Sequence, residues 1–565
     1  MTTTTETRIA CFDSRYRLLL QRDHEGKWEL PTENCLASRE NFETTRPEEI
    51  RGTKSISLLL AGRFGEESPL SGQWMTVNQI EQLPSRELNP ELTESLTLLK
   101  KNLHRVPYLG RRDHDYIFRF RTEKQRNRGV YREAGKHTKE LYQGQLCEAI
   151  KEVKRVNERR SDSPALLPFG PVEYLLPSHF GFCLGVQNAI ERAYETIVEN
   201  PGKRIFMLSE LIHNPFVNQD LARRGLRYLQ TDKGVPCIDP KSGKPWWDLL
   251  TAEDIVIIPA FGATNEDKSR LVALGINFDS YDATCMLVEK VWKAAKTYGR
   301  KGYTVLIHGK SEHEETKATF SNTLPYAPCL VIRDIHQAEI LAEIMTSEDP
   351  LRQQELWQRH FEDLASPGFD PGTDLRKIAV VNQTTLLRNE TLGIIAHLEK
   401  RLTTAFGEDE AHRRLHSQSK GDTLCYATQV NQDALEKSLQ EDLDYALVIG
   451  GKNSSNTAQL FRMCREKFGE HAFYIQSEEN ILSSSEILHC EMPYPKPPTA
   501  KTEMVTKPFL PMPLPQKTNI LITGGASCPD GLIQQVINKI NSLYPQEDLR
   551  SMEKVLADID SENDR

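Results

Sequence analysis

No two of the eleven cysteines in this 565-residue chain stand within four residues of each other. That excludes the paired knuckles of zinc ribbons and the short cysteine runs of ferredoxins. The odd count and low density argue against a disulfide framework and for a reducing compartment. No stretch approaches the roughly 18 apolar residues of a membrane-spanning helix. The opening Met1-Thr2-Thr3-Thr4-Thr5-Glu6 lacks the apolar core of a signal peptide, so a cytoplasmic protein with no membrane contact is expected. Excess positive charge is lacking too: 71 Lys and Arg against 80 Asp and Glu leave −9, with no global attraction to nucleic acid. No Gly-x-x-x-x-Gly-Lys-Ser/Thr phosphate loop occurs, and His313 lacks the second histidine of a His-Glu-x-x-His zinc protease. What is present, 38% hydrophobic and 27% charged residues, is ordinary globular usage. At about 150 residues per domain the length predicts several domains.

Residues 1–105 read as a small α+β module with a final helix after Pro90. Leu18-Leu19-Leu20-Gln21-Arg22 followed by Lys27-Trp28-Glu29-Leu30-Pro31 resembles the opening of a Nudix hydrolase domain. No glycine lies between Gly26 and Gly52, however, so the magnesium-binding box is missing. The module is expected to be a degenerate Nudix-like one without Nudix chemistry, its role unknown. Residues 106–171 form a basic extension. Between 105 and 160, 16 Lys or Arg stand against 8 acids, interleaved with Tyr116, Phe118 and Phe120. In an acidic chain a solvated strand and helix explains this better than a nucleic-acid face.

From about 172 to 540 short apolar runs alternate with helical patterns: 204–208, 254–258, 303–307, 378–381, 445–449 and 519–522. Buried parallel strands joined by crossover helices have this texture, so an α/β fold is predicted. A charged stretch near 345–376 and a proline-rich strap over 493–515 read as surface insertions.

Three cysteines share one setting, each just before an amphipathic helix. Cys183 precedes Val186, Ala189, Ile190, Ala193 and Ile197; Cys285 precedes Leu287, Val288, Val291 and Trp292; Cys425 precedes Leu435 and Leu439. Helix N-termini favour thiolates, so the three make a candidate site for an anionic cluster. The other eight read as structural. Ser454-Ser455-Asn456 follows one predicted strand and Gly525-Ala526-Ser527 another, where open α/β sheets place ligands and where hydroxyls and free amides suit phosphate. His213, the pair His308 and His313, Glu315 and Thr384 also stand just past predicted strands, and imidazoles beside a carboxylic acid and a hydroxyl suit phosphate binding with proton delivery.

In order along the chain, Phe182-Cys183-Leu184-Gly185-Val186, Ile212-His213-Asn214-Pro215, Asp282-Ala283-Thr284-Cys285, His313-Glu314-Glu315-Thr316, Gln383-Thr384-Thr385, Cys425-Tyr426-Ala427-Thr428, Lys452-Asn453-Ser454-Ser455-Asn456 and Gly525-Ala526-Ser527 closely resemble the motifs of 4-hydroxy-3-methylbut-2-enyl diphosphate reductase. That family catalyses the last step of the non-mevalonate isoprenoid pathway. The resemblance implies three pseudo-symmetric α/β lobes, here 172–285, 286–422 and 423–545 with a charged tail over 546–565, around a central iron-sulfur cluster. It implies Cys183, Cys285 and Cys425 as ligands of one 4Fe-4S cluster. His213, His313, Thr384, Ser454, Ser455, Asn456 and Ser527 are implied around an allylic diphosphate, and Glu315 with Thr384 in proton delivery. Ferredoxin or flavodoxin is the implied electron donor. His308 has no implied role and is read as structural. Many members carry Ala-His-Gly where this chain has Ala260-Phe261-Gly262; that form, and Asn127-Arg128-Gly129-Val130-Tyr131, resemble the plant and cyanobacterial branch. The alternative from another class is a non-catalytic iron-sulfur sensor or binding protein on the same fold.

Overall fold

The computed structural model describes residues 7–13, 15–31, 48–51, 57–64, 72–109, 136–156, 163–416, 423, 425–492 and 502–563. Cys35, the aromatics Tyr116, Phe118 and Phe120, Asn127–Tyr131 and 493–501 of the proline-rich strap lie outside them. The chain forms two compact units: 1–128 with 195–209 and 225–283, and 129–194 with 210–224 and 284–565. Among the described residues no helix is long and apolar enough to cross a membrane.

The first unit holds two sheets. A six-stranded one runs Trp28–Glu29, Leu18–Arg22, Thr7–Asp13, Ser57–Phe64, Glu48–Arg51, with Gln73–Met75 also paired to Leu18–Arg22. A parallel three-stranded one runs Arg227–Tyr228, Ile205–Met207, Ile255–Ile257. The expected helix after Pro90 is Pro90–Lys100, with Asn89 capping it through its side chain onto Glu91 N. Its inward residues Leu92, Leu96 and Leu99, followed by Leu103 and Val106, share one core with Phe206, Val256, Leu271, Val272 and Phe278. His104 N donates to Ser269 Oγ at 3.1 Å, and Tyr16 OH to Asn277 Oδ1 at 3.2 Å. Gly275, at φ +77°, approaches Thr76 so closely that a Cβ would stand 2.7 Å from its Cγ2. The front module and the 195–209 and 225–283 segments therefore bury one another's apolar faces. A chain beginning at residue 110 would expose that shared core, so it is expected in aggregates. Soluble yield and size-exclusion chromatography check this; a monodisperse truncated protein with a cooperative melt would contradict it.

The second unit holds two parallel arrays. One runs Cys329–Ile332, Thr304–His308, Ile378–Asn382; the other Ala472–Ile475, Tyr445–Ile449, Thr518–Gly524, Val172–Leu176, with Ala165–Pro168 antiparallel at its edge. Thr304–His308, Ile378–Asn382 and Tyr445–Ile449 are buried at every position, as strands of covered parallel sheets should be, with the polar His308 and Asn382 at two of their C-terminal ends. Val172–Leu176 pairs with Thr518–Gly524, far away in sequence. The 345–376 stretch is not a purely surface insertion. Its helix Pro350–His360, capped by Asp349, turns charged residues outward and sends Leu356 and Trp357 into the core that holds Leu306, Ile378 and Leu398. In the described part of the strap, Glu503–Pro508 pairs antiparallel with Glu486–Glu491.

The described part of the basic extension is also packed. Lys151 Nζ lies 2.6 Å from Asp530 Oδ1, Leu146 N donates to Gln534 Oε1 at 3.1 Å, and a Cβ on Gly531 would strike the Glu140 carbonyl. The extension thus grips the helix Asp530–Asn541, directly beyond the Gly525-Ala526-Ser527 turn.

Candidate active site

Every polar motif singled out in the second unit stands beyond the C-terminal end of a parallel strand or at the first turn of the helix that follows. Lys310 and His313 follow Thr304–His308; Gln383 and Thr384 follow Ile378–Asn382; Ser454 follows Tyr445–Ile449; Ser527 follows Thr518–Gly524. Within each of the two sheets, loops at that edge gather because parallel strands all end on the same side.

Cys183, Cys285 and Cys425 immediately precede the helices Leu184–Glu199, Met286–Arg300 and Tyr426–Ser438. First-turn amides bond to the sulfurs: Gly185 and Val186 to Cys183, Leu287 and Val288 to Cys285, Ala427 and Thr428 to Cys425. The thiols interact electrostatically, Cys183 with Cys425 and Cys285 with both. Gly185 is required here, because a Cβ at that position would strike Cys285 Sγ. Burial outweighs the helix amides: it pushes Cys183 up to about 11 and raises Cys285 and Cys425 as well. The thiolate expectation from helix termini is thereby corrected, and a metal must displace thiol protons on binding. Among the described residues no group of three or more His, Cys, Asp or Glu side chains is placed to hold a single metal ion. Of the remaining described cysteines, Cys11, Cys147, Cys329, Cys464, Cys490 and Cys528 are buried and Cys237 is half-buried.

Glu315 lies close enough to Cys425 to raise its pKa. It occupies the first turn of the helix Glu314–Thr323, whose N-cap is His313: the imidazole Nδ1 accepts from Glu315 N at 3.2 Å. The Glu315 side chain is 0% exposed. Its Oε1 accepts from Thr384 N at 2.5 Å, while its buried Oε2 has no hydrogen-bond partner. Burial lifts this carboxyl to about 7, against the lowering pull of the Thr384 amide and hydroxyl. A group poised there can give up a proton at neutral pH.

The contacts continue outward from Glu315. The His313 ring meets the His213 ring edge-on with centroids 5.1 Å apart, and burial, with His213 and Lys310 adding, holds His313 well below the ordinary imidazole range. His213 Nδ1 is 3.6 Å from Glu210 Oε2. Ser527 Oγ donates to the His213 carbonyl at 3.4 Å and to Ser454 Oγ at 3.3 Å. Ser454 caps the helix Ser455–Phe468 through Thr457 N, and Asn456 Oδ1 accepts from Ala526 N at 2.7 Å. The Ala526 carbonyl accepts from Cys183 N at 3.3 Å. The loops approach this closely because glycines carry no side chain: a Cβ on Gly451 would strike the His213 carbonyl, and one on Gly525 would strike Thr457 Oγ1. Contacts thus lead from Cys425 through Glu315, the two histidines, the serines and Asn456 back to Cys183. His308 stands apart: it is buried, its Nδ1 is 2.8 Å from Thr391 Oγ1, and burial lowers it to about 4. That is the structural role expected of it.

Sequence reasoning quoted Gln383 within a motif without giving it a role, and missed Lys310. Gln383 Oε1 accepts from Lys310 N at 3.1 Å and from Thr316 Oγ1 at 3.2 Å, tying two strand ends together. Lys310 Nζ donates to Ser455 Oγ at 3.4 Å. The available signal was a cation two residues past a strand end, in a loop already carrying His313.

The family described as LytB protein matches residues 175–541. A protein of Synechococcus sp. (strain WH7803) named 4-hydroxy-3-methylbut-2-enyl diphosphate reductase is 35% identical over 382 residues, covering 68% of this chain and 88% of that protein. One of the same name from Gloeobacter violaceus is 35% identical over 374 residues, covering 66% and 84%. A solved structure of the E-1-hydroxy-2-methyl-but-2-enyl-4-diphosphate reductase from Plasmodium falciparum aligns with a TM-score of 0.44 at 17% identity, over 70% of this chain and 100% of that one.

Proposed function

The chain belongs to the LytB protein family, and on that premise we propose how its site performs the family's reaction. The reaction is the reductive dehydroxylation of (E)-4-hydroxy-3-methylbut-2-enyl diphosphate to isopentenyl and dimethylallyl diphosphate, the last step of the non-mevalonate isoprenoid pathway. Two electrons and two protons enter per turnover. The C–O bond breaks, one proton leaves with the hydroxyl as water, and the other forms the new C–H bond.

Cys183, Cys285 and Cys425 would hold a 4Fe-4S cluster. The residues fit such a group on three counts: three mutually interacting sulfurs, first-turn amides directed at each, and a glycine where a side chain would strike one of them. A polynuclear cluster keeps its ligands further apart than one ion does, in keeping with the lack of a single-ion site among the described residues. When bound, the cluster supplies single electrons and an iron that acts as Lewis acid toward the substrate's hydroxyl oxygen. Ferredoxin or flavodoxin is the proposed electron donor.

The chain's own residues do the rest. Ser454, Ser455, Ser527 and Asn456, with His213 and His313, bind and orient the diphosphate at the start of the helix Ser455–Phe468, where hydroxyls and free amides face an anion. Glu315 holds a proton on Oε2, since Oε1 is occupied by the Thr384 amide, and delivers it to the departing hydroxyl. Thr384 fixes the direction of transfer. The observation that carries this reading is the chain of contacts joining the three thiols to one buried carboxyl and one cluster of hydroxyls. An iron-sulfur sensor would need the thiols but neither Glu315 nor the pocket. The test is anaerobic incubation of the full chain with the diphosphate substrate and a chemical reductant. Both five-carbon diphosphates are expected, and an iron-loaded protein that forms neither would overturn the reading.

A further inference from the structure

Most of the groups proposed to bind the diphosphate carry no formal charge. Ser454, Ser455 and Ser527 bring hydroxyls and Asn456 a carboxamide, and burial disfavours the charged form of His313. A diphosphate ester is a multiply charged anion. Moving it out of water onto hydroxyls and carboxamides leaves much of its desolvation uncompensated.

Lys310 stands where a counter-charge is needed. It is the second residue beyond the strand Thr304–His308, and its backbone is held on both sides. Its N–H donates to Gln383 Oε1 at 3.1 Å, and its carbonyl accepts from His313 N at 2.9 Å. Gln383 in turn accepts from Thr316 Oγ1 and lies next to Thr384, so the Lys310 backbone is tied to the loop that carries Thr384. The ammonium reaches across to the neighbouring lobe and donates to Ser455 Oγ at 3.4 Å. A hydroxyl that accepts from an ammonium is polarised, and its own proton becomes a better donor to an anion.

We propose that Lys310 is a diphosphate ligand of this chain, pairing its ammonium with the anion's oxygens while Ser455, on which it rests, donates to the same group. The proposal builds on the reading of Ser454, Ser455, Asn456 and the two histidines as the diphosphate pocket. A lysine acts here as a compact point charge with three donors, suited to an anion whose oxygens shift during turnover.

The experiment uses the anaerobically purified full-length holoenzyme, with inorganic diphosphate as the probe and the allylic diphosphate as substrate. Loss of one charge-assisted contact predicts a rise in the dissociation constant for diphosphate, and in KM, of about 10- to 100-fold for Lys310→Met. kcat should fall less than KM rises. Lys310→Arg should recover most of the affinity, and iron content and thermal midpoint should match wild type. Wild-type affinity should also fall with added salt more steeply than that of Lys310→Met. If Lys310→Met does not fold, Lys310→Gln carries the same expectation. Wild-type affinity in a folded, iron-loaded Lys310→Met or Lys310→Gln protein would overturn the role of Lys310 alone. Failure of the wild type to bind diphosphate, with Ser454→Ala indistinguishable from it, would instead overturn the pocket reading, and this proposal with it.

Discussion

Replacing Glu315 with Gln is expected to cut turnover by about 10²- to 10⁴-fold, the range for loss of a positioned acid, while the protein keeps its iron. The substitution preserves volume and leaves an acceptor for the Thr384 amide, so the packing around a fully buried side chain is undisturbed. What is lost is the acidic proton on Oε2. The pH dependence gives a second readout. Burial raises the carboxyl from an ordinary 4.5 to about 7, so the donor form is present below that value and disappears as pH rises through it. The wild-type rate should decline on that alkaline limb, and the Gln variant should lack it. The linked stability has the same sign: a carboxyl whose folded pKa is raised contributes fully below 4.5 and loses that contribution as pH passes about 7. Near-wild-type turnover by an iron-loaded Glu315→Gln protein would remove Glu315 from its role.

Serine in place of Cys183, Cys285 or Cys425 is expected to strip most of the iron and abolish turnover, each variant alone being sufficient. With only three protein ligands proposed, losing one soft thiolate leaves two, and a serine oxygen is a harder and weaker partner for iron. Cys237→Ser and Cys528→Ser are the controls. Cys237 belongs to the first compact unit, and the buried Cys528 thiol is directed to the Pro529 carbonyl. Both variants should retain iron. Loss of iron from Cys237→Ser, with retention in Cys425→Ser, would show that the ligand set was wrongly chosen.

The strands were legible because parallel strands covered on both faces are apolar throughout. The apolar runs at 303–307, 378–381 and 445–449 announce themselves by composition alone, and the residues just past their ends inherit a place at the C-terminal edge of their sheets. The cysteines became legible through their helices, not through their spacing, since separations of 102 and 140 residues follow no local metal pattern. Long-range partnership stayed hidden. Nothing near Val172 indicates that it pairs with Thr518, and nothing in residues 1–105 indicates that Leu96 and Leu103 share a core with Val272 and Phe278. Charge density misled at 345–376, where the exposed face of an amphipathic helix outnumbers the two residues, Leu356 and Trp357, that anchor it. The balance between burial and helix amides at the thiols was equally out of reach, because desolvation depends on the folded surroundings.

The most direct measurement is the iron and acid-labile sulfide content of the full-length wild-type protein purified without oxygen. About four irons and four sulfides per chain, with broad visible absorption, are predicted. A colourless, iron-free protein with Cys183, Cys285 and Cys425 intact and folded would contradict the cluster on which the chemistry depends.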